Sequence, residues 1–341
     1  MRRHIVLMIW SLLTCMTSAG QEARSFPQTV PAGNYSGIAW LGDSTYVVVD
    51  DKSPTDGFYT FYITVDSLSG ALTSVRRGDF HPSALASRDG EGIAYNPQSG
   101  RIWMSGEGDN EIREYLTDGT LTGRRLPLSE SMRKSASNYG YESLTYNALT
   151  HRYWTTTEST LPLDGNLATS MNGVSNRLRL QAFDDSLQEA GQWAYVMDAP
   201  IARREASNYA MGVSELCALD DGQVLVLERE FFVPKIKLGA FVQCKLYAVR
   251  PAEDAEAKMA SDRPMPQNVK PLDKTLLKAW TTRLGLFNHN IANYEGMCLG
   301  PTLKDGRRVL ILVSDSQAQY AGVLRDWFMT LVIDNPDSTI K

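Results

Sequence analysis

The stretch Glu91-Gly92-Ile93-Ala94-Tyr95 enters a turn at Asn96-Pro97-Gln98-Ser99-Gly100, resumes as Arg101-Ile102-Trp103-Met104 and then reaches Glu107. Two β-rich runs around a turn of Asn, Pro, Ser and Gly read as a hairpin. The same grammar returns in four more places. Ser36-Gly37-Ile38-Ala39-Trp40, Glu142-Ser143-Leu144-Thr145-Tyr146, Glu215-Leu216-Cys217-Ala218-Leu219 and Glu295-Gly296-Met297-Cys298-Leu299 open the other units, and successive units start 55, 51, 73 and 80 residues apart. Each opening is followed by its own turn: Gly42-Asp43, Asn147-Ala148-Leu149-Thr150, Asp221-Gly222 or Asp305-Gly306.

After every turn comes a second run ending on acid. Tyr46-Val47-Val48-Val49 leads to Asp50 and Asp51, Arg152-Tyr153-Trp154-Thr155 to Glu158, Val224-Leu225-Val226-Leu227 to Glu228 and Glu230, and Val309-Leu310-Ile311-Leu312-Val313 to Asp315. Near-continuous apolarity predicts strands buried on both faces. Most units supply two further strands, as at residues 111–115 and 123–128. Four antiparallel strands per repeat of fifty-odd residues predict an all-β fold, a β-propeller. Five blades are preferred and six possible, with a divergent blade between Lys245 and Leu284 as the alternative. The last unit lacks a fourth strand, so the N-terminal residues 26–31 are expected to supply it and close the ring.

The start of a hairpin's first strand and the end of its second lie at the same end. Glu91 therefore belongs near Glu107, Glu142 near Glu158, Glu215 near Glu228, and Glu295 near Asp315. Propeller symmetry gathers these ends around one mouth of the central channel, a ring of about eight carboxylates. Their mutual repulsion demands compensation by a cation, by Arg or Lys partners, or by protonation. Calcium suits hard oxygen ligands better than zinc, since no His-rich or Cys-rich cluster is present. Lys52 and Arg229 are the internal cations at hand, and both suit an anionic substrate. Tyr139, Tyr209 and Tyr294 either line the mouth or pack in the core.

Composition narrows the rest. The chain has 341 residues, 43% hydrophobic and 21% charged, with a formal net charge of -5. It is too apolar for disorder, and nothing suggests a basic face for nucleic acid. Residues 1–19 read as a signal peptide: a basic Met1-Arg2-Arg3-His4, an apolar run and a small-residue site at Thr17-Ser18-Ala19. The mature chain, residues 20–341, is expected to be one exported domain, periplasmic or extracellular, soluble and monomeric. Thr14 before Cys15 disfavours a lipoprotein. Cys217, Cys244 and Cys298 are odd in number and fit no zinc spacing, so they read as small buried hydrophobes, with a single disulfide as the alternative. His81, His151 and His289 are isolated, and no nucleophile elbow, zinc helix or P-loop is present.

The motifs Glu91-Gly92-Ile93-Ala94-Tyr95, Glu142-Ser143-Leu144-Thr145-Tyr146, Ser214-Glu215-Leu216, Leu227-Glu228-Arg229 and Tyr294-Glu295-Gly296-Met297 resemble the phytase-like family described as "esterase-like activity of phytase". The similarity runs from about Ser36 to Asp315, with Ser36 replacing the first unit's Glu. The resemblance implies a propeller whose acids hold metal and position a phosphorylated substrate. On that reading Glu91, Glu142, Glu215 and Glu295 are catalytic, and Asp50, Asp51, Glu107, Glu158, Glu228 and Asp315 are metal ligands. Arg229 and Lys52 then bind the substrate, a small anionic ester or phosphorylated molecule. The function expected is a calcium-dependent phosphoester hydrolase. A calcium-dependent lactonase or esterase and a non-catalytic binding or structural propeller are the competing readings.

Overall fold

The repeated hairpins form because each turn is chemically closed. Asn96 Oδ1 accepts from the amides of Gln98 and Ser99, and Asn147 Oδ1 from those of Leu149 and Thr150. Asp221 and Asp305 do the same two residues on. Such Asx turns reverse the chain at low cost. The computed structural model describes residues 23–25, 30–130, 132–134, 140–252, 263–287, 289 and 291–334. The expected signal peptide, with Cys15, and Tyr139 lie outside the described residues.

Five four-stranded antiparallel sheets result. The first blade is β2 (Tyr35–Gly42), β3 (Thr45–Asp50), β4 (Thr55–Val65) and β5 (Leu72–Ala86). The second is β6 (Gly90–Asn96), β7 (Arg101–Gly106), β8 (Glu111–Tyr115) and β9 (Leu121–Arg125). The third is β10 (Ser143–Asn147), β11 (Arg152–Thr156), β12 (Arg177–Asp184) and β13 (Glu189–Val196). The fourth is β14 (Asn208–Ala218), β15 (Val224–Val233), β16 (Phe241–Val249) and β17 (Lys274–Arg283). The fifth joins β18 (Asn293–Thr302), β19 (Arg308–Asp315) and β20 (Phe328–Ile333) to the N-terminal β1 (Ala23–Ser25). The chain is a five-bladed propeller, and the segment that might have held a sixth blade carries the outer strands of the fourth.

The hydrophobic core is divided among the blade interfaces. Between the fifth and first blades, for example, Ile311, Val313 and Phe328 pack against Tyr35, Val48 and Phe61. Analogous clusters fill the other four junctions. The second strand of each unit is therefore covered on both faces, as its unbroken apolarity requires. Cys217, Cys244 and Cys298 are buried free thiols within this packing. No helix among the described residues is long and apolar enough to cross a membrane.

Closure by the N-terminus occurs, but slightly upstream of the expected residues. Ala23, Arg24 and Ser25 pair with Thr330, Met329 and Phe328. Of the expected residues 26–31, those at 26–29 lie outside the described residues. Removing residues up to Ser25 unpairs the outer edge of β20, and the melting temperature is expected to fall by several degrees. A truncated chain melting at the parent's temperature would show that the ring holds without this strand.

Candidate functional site

At one mouth of the channel lies a cavity of about 510 Å³ lined by Asp51, Glu91, Glu107, Glu142, Glu158, Glu295 and Asp315, with Lys52 and Arg229 among them. Seven carboxylates thus face two cations. The register explains how they converge. In the fifth blade Asn293 pairs with Asp315 and Tyr294 with Ser314, Glu295 is skipped, and Gly296 pairs with Val313. Glu295 is the extra residue of a β-bulge, which turns its side chain out of the ladder. Glu91 sits in the equivalent irregularity between Gly90 and Ile93, and Glu142 immediately precedes β10.

The fourth blade departs from the expected equivalence by one residue. Gly212 pairs with Arg229 and Val213 with Glu228, Ser214 is skipped, and Glu215 pairs with Leu227. Ser214 and Arg229 therefore occupy the positions held by Glu295 and Asp315. Glu215 takes the place of Gly296, and Glu228 that of Ser314. Successive strand residues point to opposite faces, so neither Glu215 nor Glu228 lines the cavity. Asp50 falls in the same register as Glu228, opposite Tyr35, and it too lies off the cavity. These three expected site residues do not join the others.

Their surroundings show what they do instead. Glu228 Oε1 accepts from the Tyr195 hydroxyl and from Lys274, both at 2.6 Å. Glu215 is 0% exposed, and its Oε1 accepts from the amides of Leu144 (3.1 Å) and Leu216 (2.9 Å). Burial pushes the Glu215 carboxyl well above the usual carboxylate range, against the pull of backbone amides. At the equivalent Gly37, Gly92 and Gly296 an added Cβ would lie 2.2, 2.6 and 2.1 Å from backbone of the adjoining blade. Glu215 enters this crowded axis as an amide cap.

The cavity acids are held by specific partners. Arg229, 5% exposed, donates from Nη2 to Glu158 (2.5 Å) and from Nη1 to Glu295 and Asn293, linking three blades. Gly212 makes room for this: a Cβ there would fall 2.3 Å from Glu158 Cγ. Ser36 donates its hydroxyl to Glu91 Oε2, so the residue that breaks the repeat supports the neighbouring acid. Lys52 bridges Asp51 and Asp89, 2.7 Å from each. Glu142 is 8% exposed, lines the cavity and receives no hydrogen bond from any described residue.

Electrostatics follow from the crowding. Burial first, then repulsion from Glu142, Asp51 and Glu295, holds Glu91 well above the usual carboxylate range. Glu142 is raised by burial and by Glu158 and Glu295, and Asp315 by burial and by Glu295 and Asp51. Glu158 is pushed up to about 7 by burial, against the opposing pull of Arg229. Asp51 reaches about 7 through burial, against Lys52. An acid raised in the folded state keeps its proton where the unfolded chain has already lost it. Without metal, stability should therefore fall as pH rises from about 5 through about 7, where Asp51 and Glu158 give up their protons. Melting curves in chelator across that range check the sign, and a stability that climbs with pH would contradict it.

Sequence reading missed Asp89, Asn34 and Asn293. Asn34 and Asn293 line the cavity, and Asp89 joins Asp51 and Glu91 in a group whose ligand atoms lie within 4.8 Å of one another. All three stand two residues before a repeat position. The shared Asn-Tyr doublet at Asn34-Tyr35 and Asn293-Tyr294 was the available signal. Tyr209 lines the cavity, whereas Tyr294 is core, packed against Trp280. His81, His151 and His289 stay outside it.

Comparison with known proteins agrees with the motifs. No curated protein matches the sequence. Among solved structures, the chain is similar to an endo-arabinase from Bacteroides thetaiotaomicron at 12% identity and a TM-score of 0.46, covering 92% of this chain and 99% of that one. It is also similar to a luciferin-regenerating enzyme at 11% identity and a TM-score of 0.40, covering 93% and 96%. Likeness at that level carries no functional argument. The family model described as "Phytase-like: Esterase-like activity of phytase" matches residues 30–317, so the chain belongs to the phytase-like family.

Proposed function

We propose that this chain is an exported, calcium-dependent hydrolase of a phosphoester, acting at the acidic mouth of the propeller. The observation that carries the reading is the convergence of seven carboxylates on one cavity with only two cations among them. Such a surplus repels a phosphorylated substrate unless a further cation is present. The donor set fits a hard divalent ion: oxygen ligands alone, with Asp51 Oδ1 buried and unpartnered and Glu142 receiving no hydrogen bond from any described residue. Asp51, Asp89 and Glu91 would hold the ion. When bound, it would neutralise phosphate oxygens and make a water molecule more acidic.

The chain's own residues do the rest. Glu142, kept protonated by burial and by its acidic neighbours, donates a proton to the departing alkoxide as the P–O ester bond breaks. Glu295 is fixed in orientation because Arg229 and Asn293 both donate to its Oε1, and it takes the proton of the attacking water. Arg229 and Lys52 supply positive charge toward the phosphate. The leader over residues 1–19 supports export, and the match over residues 30–317 supports one domain across the mature chain.

Tyr209 and Phe231 on the cavity wall favour, as a second reading, a carboxylic ester or lactone. Purified protein assayed on a phosphomonoester, a phosphodiester and a lactone, with calcium or chelator, separates the two. Calcium-dependent release of phosphate supports the proposal, lactone opening alone supports the second reading, and no turnover of any of them overturns both in favour of a binding or structural propeller.

A further inference from the structure

The group Asp51, Asp89 and Glu91 is the one set among the described residues whose three or more ligand atoms lie close enough to share a metal ion. It is not vacant of charge. The Lys52 ammonium stands 2.7 Å from Asp51 Oδ2 and 2.7 Å from Asp89 Oδ1. A divalent ion bonded to those oxygens takes the place the nitrogen holds, so the two occupants exclude each other. Two further observations point to a missing ligand here. Asp51 Oδ1 is buried with no hydrogen-bond partner, and the Glu142 carboxyl, in the same cavity, is nine-tenths buried and receives no hydrogen bond from any described residue.

Charge decides the direction of exchange. One ammonium offsets one of three carboxylates, while a divalent ion offsets two. The lysine is also easy to move: its side chain is 59% exposed, it rides the turn between β3 and β4, and exposed ion pairs are weak. We propose that Lys52 is a resident cation of this triad, displaced when a divalent ion binds and thereby freed toward an anionic substrate. Lys52 then has two states, counter-ion in the metal-free protein and substrate contact in the loaded one. This rests on reading the acidic cavity as a metal site.

The test is calorimetric titration of calcium chloride into the chelator-treated full chain, parent against Lys52→Met. Removal of the competing cation is expected to tighten calcium binding roughly five- to tenfold. Amine acetylation followed by mass spectrometry gives a second readout on the parent alone, in which calcium should raise Lys52 labelling. Calcium binding only to Lys52→Met would also support the proposal, as a site the lysine blocks outright. If the parent binds calcium and Lys52→Met binds it equally or more weakly, the displacement is refuted while the metal site stands. If neither protein binds calcium, both readings fall.

Discussion

Arg229→Met is expected to destabilise the propeller by about 3–5 kcal/mol, lowering the melting temperature by roughly 5–10 °C. The guanidinium is buried and bonded to Glu158 of the third blade and to Glu295 and Asn293 of the fifth. Methionine keeps an unbranched apolar stem but leaves two carboxylates without their counter-charge. Breaking a buried pair costs far more than an exposed one, because the abandoned charge stays desolvated. Protonation relieves part of that cost, so the deficit should be smaller near pH 5 than near pH 8. Urea unfolding at both pH values measures it. An Arg229→Met protein as stable as the parent at pH 8 would mean that the ring does not need this cation.

Glu142→Gln should lower any calcium-dependent hydrolysis by about a hundredfold or more and leave calcium-dependent stabilisation in place, because the ion belongs to Asp51, Asp89 and Glu91 while Glu142 supplies the proton. The substitution preserves shape and removes a titrating group that lines the cavity. Because the lost carboxyl is one that repels Glu91, the metal-free variant should melt at or above the parent's temperature. Losing turnover while keeping the calcium response and the fold is the signature. Glu189→Gln, on the exposed start of β13, should change neither property. Undiminished hydrolysis by Glu142→Gln would remove Glu142 from the reaction.

Much of this architecture was legible because propeller blades repeat both pattern and turn chemistry. The Asn96 and Asn147 turns, the apolar second strands and the acids after them read directly as hairpins, and the missing strand of the last unit pointed to N-terminal closure. What stayed hidden was register. Aligning units on the letter Glu paired Glu215 with Glu295, whereas a bulge at Ser214 places Glu215 opposite Leu227. One residue of offset reverses the face. The same parity separates Asp51 from Asp50 and Arg229 from Glu228, so the cation of the ring occupies a repeat position that elsewhere holds an acid. Asp89 went unread because it lies before the repeat, at positive φ in the turn entering β6.

The central claim is that the acidic mouth is a divalent-cation site. The most direct measurement is the melting temperature of the parent protein, first stripped with chelator and then given calcium at constant ionic strength. Binding to the folded state alone adds about 2.7 kcal/mol at a hundredfold excess over Kd. The account predicts a melt that falls on stripping and recovers with calcium. A melting temperature unmoved by either step would contradict it, leaving a ring of carboxylates held by Arg229, Lys52 and their own protons.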